Sequence, residues 1–357
     1  MKTQLLSLND KDLWDDYIKR LPIDQQDVYF TPEYYSLYEN YGDGEALCFV
    51  YEEDENIALY PFLKNSINKL GYNLDDEYFD IQGAYGYNGM ITSSKDENFI
   101  ERFHIAFSHY CEDNNIVAEF TRFHPILSNH TISDNNMKVI SDRKTMYLDL
   151  DSPYENIFNN FQKTTKKQIN RCKDKYDLSL DVVQGGSCSA KHINTFYEIY
   201  LNAMNRVHSS DYLYFNRNYF SNLFSLKDVT LFIAIYEKKP IAIISTMSSS
   251  MYIHGHLGGA LTDYLHISAF SFLYSEIFKY GMNKGCRYYN GGGGTSSCDD
   301  DNLLKFKLNF SKTTQVFYIG KYIRNNHIYE NIISQWKNKF PESYEKNKVK
   351  LLGYRDI

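Results

Sequence analysis

No Cys-x-x-Cys pair occurs among the six cysteines, Cys48, Cys111, Cys172, Cys188, Cys286 and Cys298. That spacing suggests neither a zinc knuckle nor a disulfide scaffold, and free thiols in a reducing compartment fit it best. None of the six sits in a motif with a histidine, and Cys298 adjoins Asp299, whose charge disfavours a thiolate. Nucleophilic thiol chemistry is therefore not expected. The segment Met1 to Asp10 has no apolar signal-peptide core, and no uninterrupted apolar run approaches bilayer-spanning length. The expectation is a cytoplasmic protein without an integral membrane segment. Positive charge is not in excess: 38 Lys and Arg stand against 45 Asp and Glu, a net charge of −7. This argues against indiscriminate nucleic-acid binding, and no DNA partner is expected. No Gly-Lys-Ser/Thr follows a glycine run, so a nucleoside-triphosphate loop is excluded. His254 and His256 have no third ligand at matching spacing, and no metal is expected.

What is present is a chain of 357 residues, 43% hydrophobic, which can bury a substantial core and is long enough for two domains. Its 33 tyrosines suit pockets that pack ring faces while keeping a hydroxyl for polar contacts. Apolar periodicity gives a mixed α/β chain in which one unit is used twice. In the first half, Leu47 to Tyr51 and Ile57 to Leu63 read as an antiparallel pair around a polar turn, with Pro61 near the end of the second strand. The helix Phe99 to Tyr110 and the strand Ile116 to Phe123 follow. In the second half, Thr230 to Tyr236, Ile241 to Met247 and Tyr252 to Leu257 form a meander, followed by the helix Ile267 to Tyr280 and the strand Arg287 to Asn290. The boundary falls near Asp149 to Pro153, giving domains 1–150 and 151–357. Tyr154 to Lys175 reads as one polar helix carrying six basic residues from Lys163 onward against Asp174 alone. Such a run is usually a solvated face, and contact with an anionic substrate is the alternative.

The stretch from Asn290 to Phe310 holds four glycines, an acidic run and then a helix-like segment. With Leu303 at zero and about 100° per residue, Leu304, Phe306, Leu308 and Phe310 form one broad apolar arc, and Lys307, near 40°, falls inside it. Lys305 and Asn309 face the other way. A lysine is rarely buried without a partner, because desolvating an ammonium costs several kcal/mol. Lys307 therefore either snorkels or pairs with Asp299, Asp300 or Asp301, or it lines a cleft where its charge steadies an oxyanion or holds an anionic substrate. Gly291, Gly292 and Gly293 let a substrate come close to the backbone. Tyr252, His254 and His256 alternate on one strand face, which looks either into a cleft or into solvent. Arg206 precedes the aromatic group Tyr212, Tyr214 and Phe215, a combination suited to gripping a carboxylate or phosphate beside a ring, or else to a helix-end salt bridge.

The order of these elements, with Tyr29-Phe30-Thr31-Pro32, Phe120-Thr121-Arg122-Phe123-His124-Pro125, Met204-Asn205-Arg206, His256-Leu257-Gly258-Gly259, Gly291 to Gly294 and Asp301 to Lys307, resembles the FemAB-like branch of the GNAT acyltransferases, including the BioF2-like acetyltransferase domain. The resemblance implies two tandem GNAT domains, each a twisted mixed sheet flanked by helices, with the chemistry mainly in the second. In such folds two adjacent strands splay apart and an amine attacks the acyl carbonyl directly. The donors it implies are an acyl-CoA such as acetyl-CoA, or an aminoacyl-tRNA. Leu257-Gly258-Gly259-Ala260 lacks the basic residue that usually precedes a pyrophosphate loop, and no long charged helical hairpin of the tRNA-using kind is present, so tRNA is not the favoured partner.

These readings converge on an N-acyltransferase moving an acetyl, other acyl or aminoacyl group to an amine on a cell-envelope sugar or peptidoglycan precursor. Lys307 supplies charge; Tyr252, His254 and His256 are candidates for proton removal. Arg206, Tyr212, Tyr214, Phe215, Gly291, Gly292, Gly293 and Lys305 line the substrate. The alternative is a catalytically silent module that binds a glycan or nucleotide-sugar, and a third reading is RNA binding through Lys163 to Lys175.

Overall fold

The computed structural model describes residues 1–357. In chain order the first elements are β1 (Lys2–Ser7), α1 (Lys11–Lys19), α2 (Pro32–Tyr41), β2 (Glu45–Glu53), β3 (Asn56–Ser66), β4 (Phe79–Gln82), β5 (Ile91–Thr92), α3 (Glu97–Asp113), β6 (Ile116–Arg122) and β7 (Lys138–Asp149). There follow α4 (Tyr154–Asn160), α5 (Lys163–Asp174), β8 (Ser179–Gln184), α6 (Ala190–Val207), α7 (Arg217–Leu223), β9 (Val229–Tyr236), β10 (Lys239–Ser248), β11 (Tyr252–Ala260), α8 (Ala269–Asn283), β12 (Tyr288–Gly293), α9 (Asn302–Lys307), β13 (Thr314–Ile323), α10 (Asn326–Lys339) and α11 (Pro341–Asn347). They form two compact units, Met1–Asp142 with Phe317–Ile357, and Arg143–Val316.

The first unit orders its strands β1-β2-β3-β4-β6-β13, with β5 on β3. The second orders them β8-β9-β10-β11-β12-β7. Read along these orders, both sheets show the same pairing: three antiparallel pairs, one parallel pair, one antiparallel pair. The repeated unit is thus present as mixed sheets flanked by helices. The sequence division at 150/151 differs from this partition. The first sheet ends with β13, which returns from the end of the chain, and the second ends with β7, which precedes the rest of its unit. Sequential order alone assigns Phe317–Ile357 to the wrong neighbour because the strand closing each sheet is not the next one along the chain.

The returning segment is held in the first unit by buried charge. Arg324 pairs with Glu119 on β6, with side chains 6% and 2% exposed, and Nε donates to Glu119 Oε2 at 2.9 Å. The Tyr60 hydroxyl bonds the same carboxylate. Near the C-terminus Arg355 Nε and the Tyr354 hydroxyl both donate to Asp80, at 2.8 Å each to Oδ2, and Asp80 is fully buried. Buried pairs of this kind fix register, since removing one partner strands the other charge.

Local signals explain most boundaries. Thr31 caps α2 by accepting from Tyr34 N, Pro32 takes the first helical position and Gly42 closes it at φ +101°. Pro61 sits inside β3 rather than near its end. Its missing N–H falls between the residues paired with β5 (Ala58 and Leu59) and those paired with β4 (Leu63 to Ser66), where no ladder bond is lost. The single helix expected over 154–175 is two, α4 and α5. Phe161 turns extended, with ψ 152°, buries its ring at 3% exposure against Phe278 and Phe310, and the next amide, Gln162 N, donates to Asn309 O. Core packing of one aromatic ring overrides helical periodicity there. The turn between β9 and β10 is Glu237 and Lys238 alone, both at positive φ (+47° and +66°), with Lys239 already paired to Tyr236 in β10.

Candidate functional site

In the second unit the parallel strands β11 and β12 pair at only three positions, Tyr252–Tyr288, Ile253–Tyr289 and His254–Asn290. Past that point β11 runs on beside β10 to Ala260 and β12 runs on beside β7 to Gly293. Each diverging strand carries an irregularity. In β11 the register against β10 shifts near Ser245, whose hydroxyl donates to Leu257 O (3.1 Å) and accepts from Leu257 N (3.2 Å). In β12 the register against β7 shifts between Asn290 and Gly292, and Gly292 adopts φ +67°. The extra residue and the left-handed glycine make a bulge that turns the strand away.

The tetraglycine is therefore strand for three of its four residues, not loop. At three positions it is the protein's own chain that comes close. A Cβ on Gly291 would meet the Met146 side chain, one on Gly293 the Arg143 stem and Lys144 O, and one on Gly294 the Asp301 carboxylate. Only Gly292 is dictated by backbone conformation. Gly258 and Gly259 are likewise explained by packing: a Cβ on Gly259 would come within 2.8 Å of Ile199 O on α6.

Lys307 points inward. It is 9% exposed and Nζ donates to Gly293 O at 2.6 Å. Burial pushes its pKa down to about 8; Asp301 opposes that shift and Arg143 adds to it. The ammonium remains mostly protonated at neutral pH. Arg143 Nη1 donates to the adjacent carbonyl, Gly294 O, at 3.1 Å, so two cations converge on two successive glycine carbonyls. The acidic residues considered as partners of Lys307 are engaged otherwise: Asp299 with Lys144, and Asp300 with Lys305. Asp301 caps α9, accepting from Leu303 N and Leu304 N, and gathers the N–H and hydroxyl groups of Thr295 and Ser296. Burial raises its pKa, but these bonds outweigh burial and hold the carboxyl well below the usual carboxylate range. On the wheel, Leu304 and Phe310 are buried as expected, whereas Leu303 is 40% exposed.

Asn290 stands at the last paired position before the strands part and is 2% exposed. Its Oδ1 accepts from Gly292 N at 3.0 Å, which turns the amide nitrogen the other way, and Nδ2 has no partner. An orphaned buried donor is costly unless something else fills its bond. Asn290 is absent from the residues that sequence assigns to the site; its position between a strand and a glycine run is the signal that marks it. Arg143 lay too far away in sequence to be linked to the site.

His254, 1% exposed, lies in register with Asn290, and Tyr252, equally buried, packs its ring against His254 and Tyr288. His256 Nε2 meets the Tyr219 hydroxyl at 3.1 Å. Burial, and then the neighbouring His254, push the His256 pKa down to about 3, so the ring is neutral at working pH. Tyr219 stacks on the fully buried Phe215 at 4.0 Å, and Tyr212, 43% exposed, packs edge-on against Phe215. Tyr214 is half-buried in the same segment. Arg206 spends Nη1 on Ala260 O (2.7 Å) and Thr262 Oγ1 (3.2 Å), tying the end of α6 to the end of β11. Lys305 is on the surface with Asp300. In the first unit, His124 fixes its loop through Asp27 (3.0 Å) and Leu127 N (3.1 Å). A polar cavity of about 760 Å³ also opens in that unit, between the start of α3 and residues 127–135; none of the predicted site residues lines it.

No helix is long and apolar enough to cross a membrane. Among solved structures, FemX superposes with a TM-score of 0.68 at 13% identity, covering 92% of this chain and 99% of FemX. The structure of L-PGS from Bacillus licheniformis gives 0.58 at 14% identity, covering 89% and 93%. The C-terminal domain of a putative lysylphosphatidylglycerol synthetase from Agrobacterium fabrum gives 0.55 at 14%, covering 90% and 93%. At such identities these likenesses establish the shared fold. No curated protein shows a significant sequence match. The FemAB-like profile, described as peptidoglycan biosynthesis/recognition, matches residues 84–297, more than half of the sequence and inclusive of the β11/β12 splay, and the chain belongs to that family.

Proposed function

We propose that the protein is an N-acyltransferase that moves an aminoacyl, acetyl or other acyl group to an amine on a cell-envelope sugar or peptidoglycan precursor, with the reaction centred on the β11/β12 splay. The observation that carries this reading is the buried Lys307 ammonium fixed on Gly293 O, on the strand that leaves the splay at Asn290. Attack by a neutral amine on an ester or thioester carbonyl builds an oxyanion, and a desolvated cation together with N–H donors stabilises it best where water is excluded. One of the three ammonium donors of Lys307 is used on Gly293; the others serve the developing charge. The incoming ammonium must lose a proton before attack. His256, with a pKa of about 3, is too weak a base to hold that proton and acts as a neutral hydrogen-bonding group. In this reading His254 takes the proton, Tyr252 orients its ring, and Arg206 with Tyr214 holds an anionic group of the acceptor. The tetrahedral adduct then collapses, expelling the donor's alkoxide or thiolate, which takes up a proton.

The test is a transfer assay in which acetyl-CoA, longer acyl-CoAs and charged tRNA are each offered with peptidoglycan and nucleotide-sugar precursors. Transfer by wild type, with a loss of about 100-fold or more in a folded Lys307→Met variant, is expected. Tight binding of a precursor with no release of thiol or tRNA from any donor would replace this reading with a silent binding module.

A further inference from the structure

The basic run on α5 and the hairpin tip between β9 and β10 meet in one patch of the second unit. Along α5, Lys163, Lys167, Arg171 and the following Lys175 recur every four residues and are all exposed, while Thr165, Ile169 and Cys172 face the core. At about 100° per residue the basic stripe and the buried face lie on opposite sides of the helix. Its C-terminal end joins the segment 262–267: Arg171 Nη2 donates to His266 O (2.8 Å) and the Cys172 thiol to Ile267 O (3.2 Å). There Tyr176 and Tyr264 each pack edge to face with Tyr236, with centroids 5.8 Å and 6.3 Å apart. Lys239 lies over Tyr264 at 4.8 Å, and Arg171 and Lys175 over Tyr176 at 5.5 Å and 5.4 Å. Leu265, which follows Tyr264 in sequence, is 45% exposed. The tip residues Glu237 and Lys238 both hold left-handed backbone without being glycine, and Lys238 is exposed.

We infer that this patch docks the protein on an anionic lipid bilayer surface. Lysines, half-buried tyrosines and a lone exposed leucine match the headgroup layer, where ammonium groups meet lipid phosphates, phenols sit at the boundary and an apolar side chain reaches the acyl region. A single-stranded nucleic acid fits less well. Base stacking needs open aromatic faces, and Tyr176 and Tyr264 already carry the protein's own cations. The chain's net charge of −7 orients the molecule, because an anionic surface repels the rest of it. Docking goes beyond the proposed transfer chemistry and does not depend on it.

The experiment is co-sedimentation of the full chain with phosphatidylcholine vesicles, with and without about 30 mol % phosphatidylglycerol, at about 0.1 M and about 0.5 M salt. Binding is expected only to the anionic vesicles and should be largely lost at the higher salt. Lys163→Glu/Lys167→Glu/Lys238→Glu should weaken it by about 100-fold or more with an unchanged melting temperature, since each cation is worth about fivefold at the surface. Leu265→Ser should weaken it several-fold, and Lys307→Met should bind as wild type does, separating docking from catalysis. Equal binding to neutral vesicles, or wild-type binding by the triple variant, overturns the inference. So does an RNA oligonucleotide that binds through the same lysines when vesicles do not.

Discussion

Replacing Lys307 by methionine removes the ammonium while keeping most of the stem, and the structure sets its energetic consequence. The folded chain holds this lysine at about 8 against an ordinary 10.5. That gap corresponds to about 3 kcal/mol by which burial penalises the charged form. Between those two values the unfolded chain binds more protons than the folded one, so the free energy of unfolding rises with pH across that window. The penalty is present in full below about 8 and disappears as pH approaches 10.5. In the methionine variant the penalty is absent at every pH, but Gly293 O loses its partner, at a cost of about 1–3 kcal/mol. At neutral pH the two effects nearly cancel, and the variant should be as stable as wild type or up to about 2 kcal/mol more stable. Urea unfolding at a series of pH values, read as the difference between the two proteins, isolates this group from every other titration. Wild type should gain about 3 kcal/mol relative to the variant between roughly pH 8 and pH 10.5. A difference that stays flat over that range would mean the amine is solvated, and the charge-stabilising role would fall with it. A variant that folds and retains full transfer rate would refute the role directly.

Gly292→Val should cost about 2 kcal/mol or more, because a β-branched residue is forced to φ +67°; Gly292→Asn, which tolerates that conformation, should keep most of the stability in the same denaturation assay. Asp301→Ala should lower stability by about 2 kcal/mol at pH 7 through loss of the α9 cap and the Thr295–Ser296 turn. Since the carboxyl is held below its usual range, that difference is present above about pH 4 and should shrink as pH falls further; a constant difference would show the charge to be irrelevant. Arg324→Leu should destabilise the first unit by about 3–5 kcal/mol by stranding Glu119, while Glu119→Gln/Arg324→Leu together should recover part of it in a thermal melt.

Sequence made the repeated strand–helix order legible because apolar alternation and helical spacing are local, and the meander, α8 and β12 fall close to where periodicity puts them. The inward course of Lys307 was legible for the same reason: a cation inside an apolar arc has few alternatives. What sequence could not give was pairing over distance. That Arg143 would reach Gly294 O, or that the segment after β12 would return to close the other sheet, depends on tertiary placement that leaves no periodic trace. The glycine run misled in its cause. Flexibility toward a substrate and close packing of the chain on itself give the same composition, and only the Cβ environment separates them. The break at Phe161 was hidden because helical propensity is a weak prior beside the burial of an aromatic ring.

Because the same sheet is built twice, the two parallel strand pairs serve as controls for one another. In the first unit β4 and β6 also separate after four paired positions, but the chain refills the gap. Asn88 N donates to Arg122 O, Asn88 Oδ1 accepts from Arg122 N at 2.7 Å, and Asn88 forms a parallel bridge with Phe123. Asn129 then binds the carbonyls of Asn88 and Met90, at 3.0 and 3.1 Å, and locks the patch in place. No such bridge follows His254 and Asn290 in the second sheet. One splay is thus stitched shut with asparagine and the other is left apart, with the buried Lys307 of α9 bound to Gly293 O of its departing strand. The costly buried ammonium thus stands beside the gap that is left open, not beside the one that is closed. Substitutions of equal size at Asn88 and Asn290 should therefore divide cleanly. Asn88→Ala should lower the melting temperature of the first unit with transfer rate retained, whereas Asn290→Ala should reduce the rate by about tenfold or more at a smaller stability cost. The reverse pattern would move the chemistry to the first unit.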